Sequence, residues 1–312
     1  MIVNGIDLSA LPAQEPSFKF PDTVKGRTAH IDADFLAYMV SYEKKGTVIE
    51  LKDMQHNAQM AVERMRKASG SERVHLHLTP GTSDKGGRYE AAIQKEYQAN
   101  RKDDKPQNLH IIREWMGRHF PATMHQMCEA DDGMSSEQWA MWNAGTPELS
   151  VIISKDKDLR MVPGFHLPWD GYELCGATID PFGYIELDAK PSSTKVVGYG
   201  TKFFWAQMLM GDQADNIQGL PVLCRPDLSK PKKVGPVIAY NLLSDLKSDK
   251  EAFQYVRGLY EATGREVGFK HWRTGETVAW QHVLISEMKL LWMRRDKHVK
   301  DDVLNWLKEV CK

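Results

Sequence analysis

Short apolar runs, three of the four followed by acidic residues, mark the first two-thirds of the chain. The runs at 28–31, 74–78, 122–127 and 149–154 have the length and aliphatic content of buried strands. Between them lie segments at 35–43, 53–67 and 109–118, and one carrying Trp139 and Trp142, whose apolar positions recur at helical spacing. Strand and helix in alternation predict an α/β fold with a mostly parallel sheet and helices on both faces. Residues 165–187, rich in glycine and aromatics, predict short strands or a hairpin beside that sheet. Beyond Thr201 the pattern turns helical, over 203–209, 234–243, 251–260, 278–294 and 301–310. The first 25 residues, with Pro12, Pro16 and Pro21 among polar positions, predict an extended surface arm.

Acids follow the apolar runs. Asp32 and Asp34 close the first strand, and Glu129, Asp131 and Asp132 stand where the third runs into a helix. Asp156 and Asp158 follow the fourth, and Asp212 and Asp215 follow the run 203–209, on one face if that stretch is helical. In open α/β sheets ligands bind outside the carboxyl ends of the strands. Asp32 is read as a metal ligand or nucleophile there, or as a helix N-cap. Three acids in four positions, Glu129 to Asp132, repel one another unless a cation neutralises them, which favours metal. His75 and His77 alternate onto one strand face, as metal ligands or as polar residues of a half-exposed face.

Composition narrows the chemistry. The 312 residues are 42% hydrophobic and 27% charged, with a formal net charge of -1, so no global charge draws the chain to nucleic acid. Any cationic surface must be local. One such segment is 82–106, where Gly86 and Gly87 precede Arg88, Lys95, Tyr97, Arg101, Lys102 and Lys105. It reads as a phosphate-binding flap on which Tyr97 stacks against a base, or as a solvated helix. Four scattered cysteines without a Cys-x-x-Cys pair point away from zinc and disulfides. No run suits a membrane span or signal peptide, and the expected setting is the cytoplasm.

Eight hard oxygen donors, Asp32, Glu129, Asp131, Asp132, Asp156, Asp158, Asp212 and Asp215, suit two Mg2+ ions, with Mn2+ as substitute. Two ions roughly 4 Å apart suit phosphodiester hydrolysis. The order Ile31-Asp32-Ala33-Asp34, Glu96-Tyr97-Gln98-Ala99-Asn100-Arg101-Lys102, Glu129-Ala130-Asp131-Asp132, Ser154-Lys155-Asp156-Lys157-Asp158 and Met210-Gly211-Asp212-Gln213-Ala214-Asp215-Asn216-Ile217 resembles the flap endonuclease and 5′-3′ exonuclease family, most closely its phage-encoded exonucleases. The resemblance covers about 28–243.

That resemblance implies an arm at 1–26, a PIN-like nuclease core at 27–200 with a helical arch near 82–106, and a helical, helix-hairpin-helix-type DNA-binding region at 201–312. It implies cleavage of DNA at a 5′ end or 5′ flap, with an RNA–DNA hybrid as an alternative substrate, releasing 5′-phosphorylated products. Carried over by motif, Asp32, Glu129, Asp131 and Asp132 hold one ion, Asp156, Asp158, Asp212 and Asp215 hold or orient the other, and Asp34 assists. Arg88, Lys95, Arg101 and Lys102 supply cations to the scissile phosphate. Tyr38 and Tyr97 stack on bases, and Gly219, Lys232, Lys233 and Gly235 grip backbone phosphate.

The chain departs from the family at Gln98, where a lysine is usual, and at Thr79-Pro80-Gly81, where the second strand usually ends in aspartate and Asp84 is the nearest substitute. An insert carrying Lys230, Lys232 and Lys233 also separates the two halves of the hairpin motif. The competing readings are a haloacid-dehalogenase-like phosphatase, with Asp32 as nucleophile and Asp34 as acid, and a non-catalytic DNA-junction binder.

Overall fold

Five strands build the central sheet: β1 (Val24–Asp32), β2 (Ser71–Leu78), β3 (Ala122–Met124), β4 (Ser150–Ser154) and β5 (Phe165–Pro168). The computed structural model describes residues 2–3, 6–7, 19–42, 49–101, 105–176 and 180–312. The sheet order is β3-β2-β1-β4-β5, and every pairing is parallel. All five strands therefore deliver their carboxyl ends to one edge. The predicted arm lies largely outside the described residues, and β1 already begins at Val24, inside it. The third strand is three residues rather than six. Residues 165–168 join the sheet as an edge strand instead of standing beside it, and the hairpin forms later, from β6 (Tyr184–Lys190) and β7 (Ser193–Tyr199).

Helices α1 (Ala33–Ser41), α2 (Leu51–Ala68) and α4 (Leu109–His119) cover one face of the sheet. Ala29, Ile31, Leu76, Leu78, Val151 and Ile153 project there and pack on Leu36, Met54, Met65, Ile112 and Met116 in a fully apolar layer.

The other face is polar near its centre. His30, His77 and His125 are buried and joined ring to ring, His30 Nδ1 to His77 Nε2 and His77 Nδ1 to His125 Nε2, both at 3.0 Å. Burial pushes the His30 and His125 pKa values down to about 4. A neutral imidazole donates one hydrogen bond and accepts one, so a neutral chain of rings satisfies itself. His77 is thus a core residue, while His75 on the same strand face is half-buried and bonds Thr123 Oγ1 at 2.8 Å.

Helix α5 (Ala130–Asn143) roofs these rings. At Gly133 a Cβ would fall on the His125 ring and lie 2.9 Å from His77 Nδ1, so only glycine lets the helix approach.

A second core surrounds α6 (Thr201–Met210), where Phe203, Phe204, Trp205, Met208 and Leu209 are buried on all sides. It is walled by α7 (Pro236–Leu243), α8 (Asp249–Glu266), α9 (Trp280–Leu291) and α10 (Asp302–Val310). A helix apolar on every side has to be central. Among the described residues, no helix is long and apolar enough to cross a membrane.

The environment of two helical glycines reverses the usual effect of alanine. Gly133→Ala should destabilise by about 1–3 kcal/mol because the new methyl overpacks the rings. Gly258→Ala, at an exposed position of α8 with nothing within 4 Å of its Cβ position among the described residues, should stabilise by about 0.5–1 kcal/mol. Urea denaturation of both variants measures the signs.

Candidate metal centre

The carboxylates converge. Asp32, Asp34, Glu129, Asp131, Asp156, Asp212 and Asp215 line one cleft of about 500 Å³ at the carboxyl edge of the sheet, together with Lys85, Arg101, Lys155 and Lys157. Seven acids against four cations leave a surplus of negative charge.

Backbone geometry fixes each acid. Asp32 ends β1 and caps α1, accepting from Phe35 N at 3.0 Å, and its second oxygen accepts from Ser154 Oγ at 2.9 Å. The cap and the site position therefore coexist. Burial, and then the neighbouring Asp34, push its pKa up to about 7. Asp34 accepts from Thr79 N and pairs with Arg113 at 2.5 Å. Glu129 and Asp132 form a capping box at the start of α5. Asp156 accepts from Asp158 N at 2.8 Å.

Helix α6 stops at Met210, so Asp212 and Asp215 sit on a tight turn rather than on a helix face. The turn closes where Asp212 N donates to Ile217 O at 2.9 Å and Ile217 N donates back at 2.7 Å. Gly211 and Gly219, at φ +71° and +65°, flank it, and a Cβ on either would collide with backbone of the opposite arm. One oxygen from each of Asp158, Asp212 and Asp215 lies within 4.8 Å of the other two.

The donors fit a hard divalent cation. Asp131 Oδ1 is buried without a hydrogen-bond partner among the described residues. Burial, then Asp156 and Asp32, raise the Asp131 pKa well above the usual carboxylate range, and burial also raises Asp156 and Asp158. Burial outweighs Arg101 to push Asp215 up to about 6. Burial raises Asp212 as well, but Lys157 and the Ala214 N–H outweigh it and bring that group below its ordinary value. Carboxyls whose ionised form burial disfavours are the ones a cation would help to ionise.

Several sequence-based assignments change. Asp132 is fully buried and does not line the cleft; Arg88 clamps both its oxygens, at 2.8 and 2.9 Å. Burial opposes that charge, but Arg88 keeps the Asp132 pKa below its ordinary value. Arg88 itself is 3% exposed and also bonds the Trp292 carbonyl, so the pair is structural, neither a metal ligand nor an arch cation. Tyr97, 3% exposed, has no face free for a base; its hydroxyl lies 3.0 Å from Glu129 Oε2 and 3.1 Å from Asp215 Oδ2, tying two walls of the site together. The Gly219 N–H is spent on buried Glu287, at 2.7 Å, and cannot grip phosphate.

The remaining assignments divide by position. Lys95 is exposed and outside the cleft lining. Arg101 pairs with Asp215 at the rim. Lys102 lies outside the described residues. Among the described residues of 82–106, the only helices are a turn at Lys85–Gly87 and α3 (Arg88–Ala91), and 96–100 is bonded to the Asp212 turn instead of arching free. Gln98, where a lysine was expected, donates to Asp215 Oδ1 at 3.2 Å. Thr79 replaces the strand-end acid by accepting Ala130 N at 2.8 Å, and Asp84 caps the Lys85–Gly87 turn. Tyr38 is exposed on α1 beside Tyr42, away from the cleft lining. Lys232 and Lys233 are exposed at the end of a loop closed by Leu223 and Lys232, and Gly235 is the N-cap of α7.

Three cleft cations were missed. Lys85 reaches Glu129 at 3.1 Å, Lys155 lies over the Phe35 ring, and Lys157 bridges Asp158 and Asp212. The alternation Lys155-Asp156-Lys157-Asp158 was the available signal for two of them.

No protein-family model and no curated protein matches the sequence. Solved structures do match in fold. A bacteriophage T5 5′-exonuclease with bound zinc superposes with a TM-score of 0.51 at 13% identity, over 92% of this chain and 100% of that one. A T5 D15 flap endonuclease in a product complex with DNA and metal ions gives 0.48 at 14% identity, over 91% and 90%.

Two measurements check the site. Arg88→Ala should cost about 3–5 kcal/mol of unfolding free energy, because it strands the buried Asp132 carboxylate. Asp32 and Asp215, raised to about 7 and about 6, bind more protons folded than unfolded. Their contribution favours the metal-free fold at low pH and fades as pH rises through those values. A divalent ion must displace the same protons. The Mg2+-induced rise in Tm should therefore be larger at pH 8 than at pH 5.5. In fold, the chain is a five-stranded parallel α/β structure with a helical carboxyl-terminal region, similar to the T5 5′-exonuclease over nearly its whole length.

Proposed function

We propose that the chain is a divalent-metal-dependent 5′ nuclease that hydrolyses DNA phosphodiester bonds. The observation that carries this reading is the convergence of seven carboxylates, from four separate motifs, on one cleft with cations at its rim. The fold likeness to a zinc-bound 5′-exonuclease supports it.

Asp32, Glu129, Asp131 and Asp156 would hold one ion, and Asp158, Asp212 and Asp215 a second. Bound there, the ions supply Lewis acidity to a phosphodiester and offset the charge that develops on its oxygens. The chain's own groups do the rest. The Arg101 side chain, 52% exposed, can exchange Asp215 for a phosphate oxygen in a charge-assisted hydrogen bond. Lys85 and Lys155 add positive charge on the cleft wall. The Tyr97 hydroxyl holds Glu129 and Asp215 in place across the cleft. Exposed Tyr38 offers a stacking surface to a base, and Lys232 and Lys233, ahead of the α7 N-terminus, offer backbone-phosphate contacts that read no sequence. In this reading the helices from Thr201 onward hold the duplex. The phosphatase reading loses ground because Asp34, its general acid, is taken up by Arg113 and the Thr79 N–H.

The test is cleavage of a 5′-labelled duplex, a 5′-flap substrate and a 3′-labelled duplex in Mg2+, with chelator as control. Short 5′-phosphorylated products should appear from the 5′ side and vanish in chelator. Asp156→Ala should lower the rate by at least about a hundredfold while DNA binding persists. A wild-type rate in that variant, or no cleavage with any divalent metal, contradicts the proposal.

A further inference from the structure

We infer that the Lys157 ammonium is a built-in counter-ion that occupies the Asp158–Asp212 half of the site and competes with the second divalent ion for it. The inference rests on the two-ion reading above and specifies how that half fills.

Lys157 Nζ stands 2.8 Å from Asp158 Oδ1 and 2.8 Å from Asp212 Oδ2. These are two of the three acids whose oxygens come within 4.8 Å of one another. A single positive charge already sits between the donors that a metal would use.

The two partners differ in freedom. The Asp158 and Asp212 side chains are each 5% exposed, whereas Lys157 is 44% exposed. Gln207 Nε2 holds Asp158 Oδ1 at 2.5 Å, and Ala214 N holds Asp212 Oδ1 at 2.9 Å. The acids are anchored, and the ammonium rides on a flexible stem that lines the open cleft. An entering ion must displace the ammonium or sit beside a like charge. Gln207 is 1% exposed and its Oε1 has no hydrogen-bond partner among the described residues, so an oxygen donor waits beside the same pair.

The two halves of the centre should therefore fill unequally. Among the described residues no ammonium is bonded to Asp32, Asp131 or Asp156 in the other half, where Lys85 reaches only the fourth donor, Glu129, at 3.1 Å, so that half fills first. The Lys157 half fills only at higher metal concentration, and the displaced ammonium then points into the cleft where the substrate phosphate lies.

Isothermal titration of the full chain with Mn2+, without DNA, separates these ideas. Wild type should show one tighter and one weaker class of site. Lys157→Met should strengthen the weaker class by at least about tenfold and leave the tighter class unchanged, and Lys157→Arg should stay close to wild type. Lys157→Gln is the second neutral variant if Lys157→Met does not fold by circular dichroism. An unchanged or weakened second class in the neutral variant overturns the inference. Asp131→Asn serves as the control, since loss of the tighter class there upholds the two-ion reading independently of Lys157. Absence of any Mn2+ uptake by wild type overturns both.

Discussion

Repulsion among carboxylates gathered at one sheet edge is the constraint on which the rest of the structure depends. Parallel strands bring Asp32, Asp156 and the start of α5 to one side, and burial there favours the neutral acid over its anion. The chain answers with three kinds of positive or proton-donating group. Arg88 neutralises Asp132 deep inside, Lys85, Lys157 and Arg101 neutralise acids at the cleft, and the Tyr97 hydroxyl bridges Glu129 and Asp215. Burial outweighs these groups at Asp32, Asp131, Asp156, Asp158 and Asp215, whose pKa values are all raised.

This arrangement depends on supports far from the cleft. The turn holding Asp212 and Asp215 is pinned by two glycines, by Glu287 on α9 and by Gln94, whose side chain donates to Gly219 O at 2.8 Å. The start of α5 is set by the capping box, by Thr79 and by the close approach that Gly133 permits over the histidine rings. One face of the sheet is packed in apolar contact while the other carries a neutral hydrogen-bonded imidazole chain. That gives the site a rigid floor without charge of its own.

Much of this was legible in the sequence because strand length, helical spacing and acids after apolar runs are local signals. They located β1, β2 and β4 and the helices between them, and they singled out six of the seven acids that the fold gathers in one cleft. Asp34 was given only an assisting role. The signals failed where a partner came from a distant segment. Nothing beside Arg88 or Tyr97 announces that each will be buried against an acid, because Asp132 and Glu129 arrive from across the fold. Helical spacing also left the setting of Asp212 and Asp215 open, since the closing contacts of their turn depend on tertiary approach at Gly211 and Gly219. Lys157 was passed over because alternating Lys and Asp reads as a solvated run until the turn at Asp212 is brought to it.

Anomalous diffraction from crystals grown in Mn2+ tests the central claim most directly. Manganese peaks are expected inside the cleft, among the oxygens of Asp32, Asp131 and Asp156, with a further peak near Asp158, Asp212 and Asp215 as the concentration rises. A cleft empty of manganese at saturating concentration, with the acids keeping their present hydrogen bonds, would contradict that claim.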